Sequence, residues 1–486
     1  MRPCLPISNL RTLCTESSSA TDGMIRDLES IGRLPILFCR KETKRGIMSD
    51  SITKAVIVAG GKGTRLATFT NNTAKALVEI GGKPIIQHQI ELLRGQGVKE
   101  IWLLLGHLGE QIQHFAEQKD WGVVLHFLHE KQPLGTAGAL KQLEGEIQED
   151  FFALSGDVMI NIDLQRFVDW HTQKEGIASL MVHPNDHPFD SDLVEADGKG
   201  RVLSLLRRPH AEDLVFRTLS IASLYIFSPR IFPYIPKGEK SDMEKDVLPK
   251  LLQANENIYA YNTPEYIKDM GTPNRLEEVR KDYESGKIFR MSLKNERRAI
   301  FLDRDGVLNE EVDQLAKIED FRLYDFTPEA VKKINESDFM AIVVSNQPMV
   351  AKGFMTEKDV QEMQKELETE LGKKGAKIDA AYYCFHHPEK GFEGERPELK
   401  IECACRKPKP GLLLEAQKDF HIDLKRSYMI GDQTVDILAG RNAGCKTVLV
   451  QTGYAGKDAR CEAEPDGRAQ DVLDAVNNIM LAQAAV

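Results

Sequence analysis

Asp303 and Asp305 stand two residues apart at the end of the apolar run Ala299-Ile-Phe-Leu302. Side chains alternate along a strand, so residues i and i+2 point the same way and both carboxylates can work on one substrate. One can attack while the other carries a proton. Further on, Val343-Val-Ser345-Asn-Gln347 ends a second apolar run with a hydroxyl. Arg406-Lys407 then adds positive charge, and Gly431-Asp432-Gln-Thr-Val-Asp436 adds two more carboxylates. Between Ser345 and Lys407 come Cys384-Phe-His386-His387 and, later, Cys403-Ala-Cys405. Three thiolates and one imidazole complete a tetrahedral Zn²⁺ site with no position left for water, which makes that metal structural. His386 is the expected nitrogen ligand and His387 its rival. In the N-terminal half, Gly60-Gly61-Lys-Gly63-Thr-Arg65 follows the apolar run Ala55-Val-Ile-Val-Ala59. Glycines there let backbone N–H groups close on polyphosphate oxygens. The spacing is neither GxxxxGK[ST] nor GxGxxG, and taken alone the loop fits a structural turn equally well.

Such residues need strands that end at a common sheet edge. Short apolar runs at 55–59, 101–105, 123–128, 151–155 and 178–182 alternate with amphipathic stretches such as 85–96 and 110–118. The pattern lapses into a polar stretch near 282–296 and starts again at 298–303, 341–345, 427–430 and 447–450. This alternation predicts an α/β fold of two doubly wound, mostly parallel domains. Residues 48–285 form the first, 286–297 the linker and 298–486 the second. Residues 1–47 carry no periodic pattern, no apolar signal-peptide centre and several acids, unlike a transit peptide. They read as a disordered tail or an upstream reading error, with Met48 as the functional start.

The 486 residues are 42% apolar and 28% charged, an ordinary globular composition. Lys and Arg number 64 against 74 Asp and Glu, a net charge of −10. That balance offers no broad basic footprint for nucleic acid or an anionic membrane. No apolar run reaches the roughly 18–20 residues that span a bilayer. Eight cysteines in so long a chain are not a disulfide scaffold, and a reducing, cytoplasmic setting follows. Small molecules are the expected partners, with oligomeric state open.

Across about residues 297–456 the four C-terminal motifs, in order, resemble the haloacid-dehalogenase-type phosphatases. The resemblance implies that Asp303 forms an aspartyl phosphate and that Asp305 serves as general acid, then base. Ser345 and Lys407 would hold the phosphoryl oxygens. Asp303, Asp432 and the Asp305 backbone carbonyl would bind Mg²⁺, Asp436 either ordering the metal loop or ligating. Asn346 and Arg406 are candidates for substrate contact. With no room for a large cap, the zinc-loop form is similar to two groups, the heptose-1,7-bisphosphate 7-phosphatases and the histidinol-phosphate phosphatases. The long insert to Cys403 fits the heptose group. Departures from that group are Gln347-Pro-Met-Val-Ala-Lys-Gly353, and Gln433 in place of a Lys.

Residues 53–285 resemble the sugar-1-phosphate nucleotidyltransferases. The likeness rests on Gly60–Leu66, Lys75-Ala-Leu-Val-Glu-Ile-Gly-Gly-Lys83-Pro84, Gly135-Thr-Ala-Gly138, Ser155-Gly-Asp157 and Lys268-Asp269-Met-Gly-Thr272. It implies Mg²⁺ on Asp157 and Asp269. Triphosphate charge would fall to Arg65 and Lys75 with the backbone of Gly60, Gly61 and Gly63. Lys83 is a further phosphate candidate, and Gln132 and Gly135 would face base and ribose. The wording from Glu130 to Gly138 leans toward guanylyl transfer. Arg207-Arg208-Pro209 stands where relatives carry Glu-Lys-Pro, leaving Arg208 as the phosphate contact. Ile221-Ala-Ser-Leu-Tyr225 lacks an amide found in relatives, so sugar identity does not carry over. Glu244 either contacts the sugar or is an exposed helix-start carboxylate.

Joined, the halves predict a bifunctional enzyme. The phosphatase step would yield a heptose 1-phosphate, which the transferase step would convert, with GTP, to a nucleotide-heptose for surface-glycan or lipopolysaccharide-type synthesis. Two alternatives stay open: a mannose-1-phosphate-type transferase fused to a histidinol-phosphate-type phosphatase, or an N-terminal half that only binds.

Overall fold

The computed structural model describes residues 52–61, 73–211, 213–313 and 315–484. The expectations for 1–47, Gly63 and Arg65 lie outside these. The N-terminal strands are β1 (Lys54–Ala59), a short hairpin of β2 (Glu79–Ile80) and β3 (Lys83–Pro84), β4 (Glu100–Leu105), β5 (Val124–His129) and β6 (Phe151–Ser155). They continue as β7 (Val158–Asn161), β8 (Ala178–Pro184), β9 (Leu193–Ala196), β10 (Val202–Leu206), β11 (Leu219–Phe227), β12 (Ile258–Asn262) and β13 (Tyr266–Asp269).

In β1, Ala55 and Ile57 enter one apolar cluster and Val56 the other. A strand buried on both faces is the mark of a covered parallel sheet. β6, β1, β4 and β5 pair in parallel, in that order. Elsewhere this nine-stranded sheet departs from the expected mostly parallel plan, because β11 runs antiparallel to β6, β8 and β9, and β9 to β10, while β12 stays parallel to β8. For β9 and β10 the cause is connection length. Five residues join β9 to β10, and only an antiparallel return fits so short a link. Next to this sheet, β7 and β13 form a ribbon that sets Asp269 opposite Val158.

The C-terminal sheet keeps to the expected plan. β14 (Arg298–Leu302), β15 (Phe339–Asn346), β16 (Ala380–Cys384), β17 (Tyr428–Gly431), β18 (Lys446–Val450) and β19 (Gly467–Ala469) are all parallel, in the order β16-β15-β14-β17-β18-β19. Ile300 and Leu302 of β14 face one cluster, Ala299 and Phe301 the other. The stretch read as a linker is not a free tether. It contains the short helix Lys287–Arg290, buries Ile288 and Leu293, and the Leu293 N–H donates to Glu265 Oε1 at 2.8 Å. Among the described residues no helix is long and apolar enough to cross a membrane.

Candidate active sites

At the C-terminal edge of the second sheet, β14 ends just before Asp303, β15 carries Ser345 and β17 ends just before Asp432. The helix Thr434–Ala443 brings Asp436 back to the same edge. Lys407 Nζ lies 2.9 Å from Asp303 Oδ1 and 2.7 Å from Asp436 Oδ1, and donates to the Val344 carbonyl at 2.9 Å. Burial first, then the Asp436 carboxylate, pushes the Asp303 carboxyl up, with Lys407 acting against them. Asp432 is raised for the same two reasons.

Asp432 Oδ2 accepts the Tyr454 N–H at 2.8 Å, while its Oδ1 is buried without a hydrogen-bond partner. Gly306 (φ +81°) and Gly453 (φ +58°) close over this carboxylate; a Cβ on either would stand 2.4 or 2.2 Å from Oδ2. The carboxylates of Asp303, Asp432 and Asp436 each offer an oxygen within 4.8 Å of the others. Three carboxylates facing one ammonium leave two negative charges and a buried orphan oxygen. That set fits a hard divalent cation. Asp436, whose role the sequence left open, thus joins the cluster while its Oδ2 also caps its own helix through the Gln433 N–H.

Asp305 points elsewhere. Arg304 forks its carboxylate, Nε to Oδ1 at 3.0 Å and Nη2 to Oδ2 at 3.1 Å; Asn309 Nδ2 adds a bond to Oδ1 at 3.0 Å and Gln347 Nε2 one to Oδ2 at 2.7 Å. Burial raises this carboxyl, but the Arg304 guanidinium outweighs it and holds the group below its ordinary value. Its side chain is therefore no part of the cation cluster, and only its carbonyl remains for that role. Gln347 Nε2 also reaches Ser345 Oγ at 3.1 Å, so one amide spaces the hydroxyl from the carboxylate.

The cysteine loop closes as the spacing requires. Sγ–Sγ distances among Cys384, Cys403 and Cys405 are 3.2, 3.3 and 3.6 Å, and His386 Nδ1 lies 3.4 Å from Cys405 and 3.8 Å from Cys384. A Zn–S bond of about 2.3 Å implies tetrahedral edges of about 3.8 Å, close to these spans. His387 stays outside, its Nε2 3.9 Å from Glu389. The loop hands the chain directly to Lys407. Arg406 N–H donates to Cys403 Sγ at 3.3 Å and its Nη1 to the His386 carbonyl at 3.3 Å. Asn346 accepts the Lys407 N–H at 3.1 Å and returns a bond to the Lys407 carbonyl at 3.2 Å. Asn346, expected at the substrate, thus holds the Lys407 backbone, and Arg406, expected there too, is tied to the cysteine loop.

In the first sheet Asp157 follows β6 and Asp269 ends β13; the Met270 N–H donates to the Asp157 carbonyl at 3.0 Å, bringing both to one rim. Ser155 Oγ donates to Asp157 Oδ1 at 2.6 Å, and Lys75 is ion-paired with Oδ2. Arg275 bridges Asp269 and Asp190 at 2.6 and 2.9 Å. Burial raises Asp269, but Arg275 and the Gly271 N–H bring it below the ordinary carboxylate range. A cavity of about 370 Å³ is lined by Asp157, Asp269, Arg208, Ser223 and Glu244. Glu244 is not an exposed helix-start carboxylate. It accepts from Tyr225 OH at 2.6 Å and Ser223 Oγ at 3.3 Å, and burial raises its pKa.

Other expected residues lie outside that lining. Lys83 pairs with Glu91 at 2.9 Å, because the β2–β3 hairpin turns it onto the helix Ile85–Gly95. Gln132 is exposed, and Gly135 (φ +75°) sits against the Ser241 carbonyl, where a Cβ would come within 2.4 Å. Gly60 abuts Glu130, whose carboxylate would stand 2.5 Å from an added Cβ, and Gly61 is open.

Residues 54–286 match the family described as nucleotidyl transferase, and residues 404–477 the one described as HAD-hydrolase-like. Over 161 residues the chain is 40% identical to D-glycero-alpha-D-manno-heptose-1,7-bisphosphate 7-phosphatase of Photorhabdus laumondii, covering 33% of this chain and 86% of that one. Over 273 residues it is 32% identical to the mannose-1-phosphate guanylyltransferase catalytic subunit beta of Drosophila melanogaster, covering 55% and 71%. The chain belongs to both families. It is also 30% identical over 233 residues to a UTP–glucose-1-phosphate uridylyltransferase of Synechocystis, with 45% of this chain matched and only 60% of that relative's length spanned.

Several residues of the phosphatase domain escaped the sequence reading. Arg304, Asn309 and Gln347 position Asp305, and Tyr454 positions Asp432. Arg304 lies between the two motif aspartates, so its place in the sequence was a usable signal. Tyr454 acts through its backbone, which leaves none. In the transferase domain Arg275 is the missed cation; it lies six residues after Asp269, on the first turn of the helix Pro273–Glu284.

Proposed function

We propose that the chain makes a nucleotide-heptose in two steps, using both domains. The phosphatase domain removes the 7-phosphate of a heptose 1,7-bisphosphate, and the transferase domain joins the heptose 1-phosphate to a nucleotide drawn from GTP. The observation that carries this reading is the assembled Asp303–Lys407–Asp432–Asp436 cluster, in a domain 40% identical to a heptose-bisphosphate phosphatase. It sits in one chain with a transferase whose acceptor class is that enzyme's product.

Asp303 Oδ1 is held by Lys407 and by the Arg304 N–H at 2.8 Å, so Oδ2 is the oxygen that attacks phosphorus. The bond from phosphorus to the 7-oxygen breaks and an aspartyl phosphate forms. Ser345 and Lys407 hold the phosphoryl oxygens. Asp305, its proton affinity raised by the arriving phosphate charge, takes up a proton from solvent as substrate binds and gives it to the departing oxygen. It then takes a proton from the water that cleaves the acyl phosphate, the base form that Arg304, Asn309 and Gln347 favour. In the transferase domain Lys75 and Arg65 take triphosphate charge while Arg208 and Glu244 hold the acceptor. Its phosphate oxygen attacks the α-phosphorus and pyrophosphate leaves. Mg²⁺ bound at the carboxylates of either site supplies charge neutralisation, and Zn²⁺ at the cysteine loop supplies rigidity.

The likeness to a mannose-1-phosphate guanylyltransferase supports a second reading, with a mannose 1-phosphate acceptor. Heptose 1,7-bisphosphate in both anomers, with each NTP in turn, separates the two. Phosphate release followed by GTP-dependent pyrophosphate release is the expected result. Pyrophosphate release faster from mannose 1-phosphate than from heptose 1-phosphate would favour the second reading.

A further inference from the structure

The loop that carries Arg208 joins β10 to β11, and its far end leans on the phosphatase domain. Helix Glu357–Lys373 of that domain presents Glu368 and Thr369, each only 2% exposed. Thr369 Oγ1 accepts the Phe216 N–H at 3.0 Å and donates to the Phe216 carbonyl at 3.1 Å, satisfying both backbone groups of one loop residue. Glu368 Oε1 accepts from Arg217 Nε at 2.8 Å, and Oε2 accepts the Thr218 N–H at 3.0 Å. Lys365, one turn earlier, pairs with Glu195 of β9 at 3.1 Å.

A second acceptor-side segment rests on the same helix. Gly372 lies so close to Pro188 that a Cβ would stand 2.6 Å from its ring, and Phe189 packs edge-on against the fully buried Phe216 at 5.5 Å. Asp190, next in the chain, takes one arm of Arg275, whose other arm holds Asp269. The carbonyl of Asp190 accepts from Arg208, and Asp192 accepts the Arg208 N–H at 3.1 Å. Two of the segments that shape the acceptor end of the transferase cavity are therefore seated on a helix of the other enzyme.

We infer that helix Glu357–Lys373 of the phosphatase domain is a positioning element of the transferase site, with Thr369 and Glu368 setting where Arg208 meets the phosphate of the sugar 1-phosphate. The fusion then does more than tether two catalysts. It completes an acceptor pocket bordered by the long loop that joins β10 to β11. Thr369 touches no atom of the phosphatase centre, which makes it the clean probe.

This rests on the proposed transfer to a sugar 1-phosphate, and the test separates the two. Thr369→Val keeps the shape and strands the N–H and carbonyl of the buried Phe216. In the full-length chain the KM for mannose 1-phosphate or heptose 1-phosphate should rise at least about fivefold. The KM for GTP and the phosphatase kcat should stay within twofold, and Thr369→Ser, which keeps the oxygen, should restore the wild-type value. Glu368→Gln should move the same KM in the same direction. Titration calorimetry of the same sugar 1-phosphates follows binding apart from turnover. An unchanged affinity in Thr369→Val and Glu368→Gln, with only a lower melting temperature, overturns the inference alone. A wild-type chain that binds neither sugar 1-phosphate overturns it together with the proposed transfer.

Discussion

The two catalytic regions differ in how much of the chemistry is finished before substrate arrives. In the phosphatase domain Asp303, Ser345 and Asp432 stand at the ends of parallel strands. Lys407 ends the cysteine loop, Asp436 lies on the helix after β17, and all five are buried. In the transferase domain Lys75 spends its charge on Asp157, Arg208 is exposed, and Arg275 is shared between two aspartates. Covalent catalysis needs a nucleophile held in place at all times, since a misplaced attacking oxygen loses the whole step. Transfer between two bound substrates can borrow order from the substrates. The acceptor site also borrows it from the neighbouring domain.

The largest effect should come from Asp432→Asn, which removes a buried charge from the cluster proposed to hold a cation. Phosphate release should fall by roughly 10³-fold or more, with pyrophosphate release from a supplied sugar 1-phosphate unchanged. An equal fall in both rates would erase the contrast between the sites. Asp157→Asn should do the converse, cutting pyrophosphate release about 10²-fold or more and leaving phosphate release alone. Next comes the cysteine loop. Cys405→Ser should take zinc, measured by metal analysis, from about one per chain to near zero. It should lower phosphatase kcat about tenfold through Lys407, with a smaller loss of transfer. Retention of zinc would sink the Cys₃His assignment.

The smallest effect lies at the seam between the domains. Arg166 Nη1 donates to the Asp419 carbonyl at 2.6 Å, and the Asp419 carboxylate accepts from Tyr382 OH at 3.0 Å. Burial pushes that carboxyl up to about 7. A raised folded-state value means stability present at low pH and lost as pH climbs from about 4 through 7. Asp419→Asn mimics the protonated form, so its melting temperature should gain on wild type by a few degrees at pH 8 and by little at pH 5. An equal shift at both pH values would remove the titration from the account.

The contrast also governs what the sequence could disclose. The phosphatase core was legible because its groups sit in short motifs on parallel strands, where alternation and strand ends follow from local pattern. His386 over His387 was legible from C-x-H spacing. The pairing of Lys83 with Glu91 was not legible, because Glu91 lies on the next helix, which the motif does not show. The acceptor half was the least legible. Its strands return antiparallel, Glu244 is held by Tyr225 and Ser223 from β11, and Phe216 is fixed by Thr369, 153 residues away. No local pattern carries such a contact.

The geometry bears on substrate transfer too. The transferase cavity reaches Phe339 and Asp379, at the starts of β15 and β16. The phosphatase groups stand at the opposite ends of that sheet. An intermediate passing between the sites must go round a strand length of the domain, so free release is the expected route, and a mixture of full-length Asp303→Asn and Asp157→Asn chains should give the product yield of the wild-type chain.

The central claim is that one site makes the other's substrate, and Asp303→Asn tests it most directly. With heptose 1,7-bisphosphate, GTP and Mg²⁺, the variant should release neither phosphate nor pyrophosphate. Given heptose 1-phosphate instead, it should release pyrophosphate at the wild-type rate. Pyrophosphate released by the variant from the bisphosphate at the wild-type rate would contradict the account.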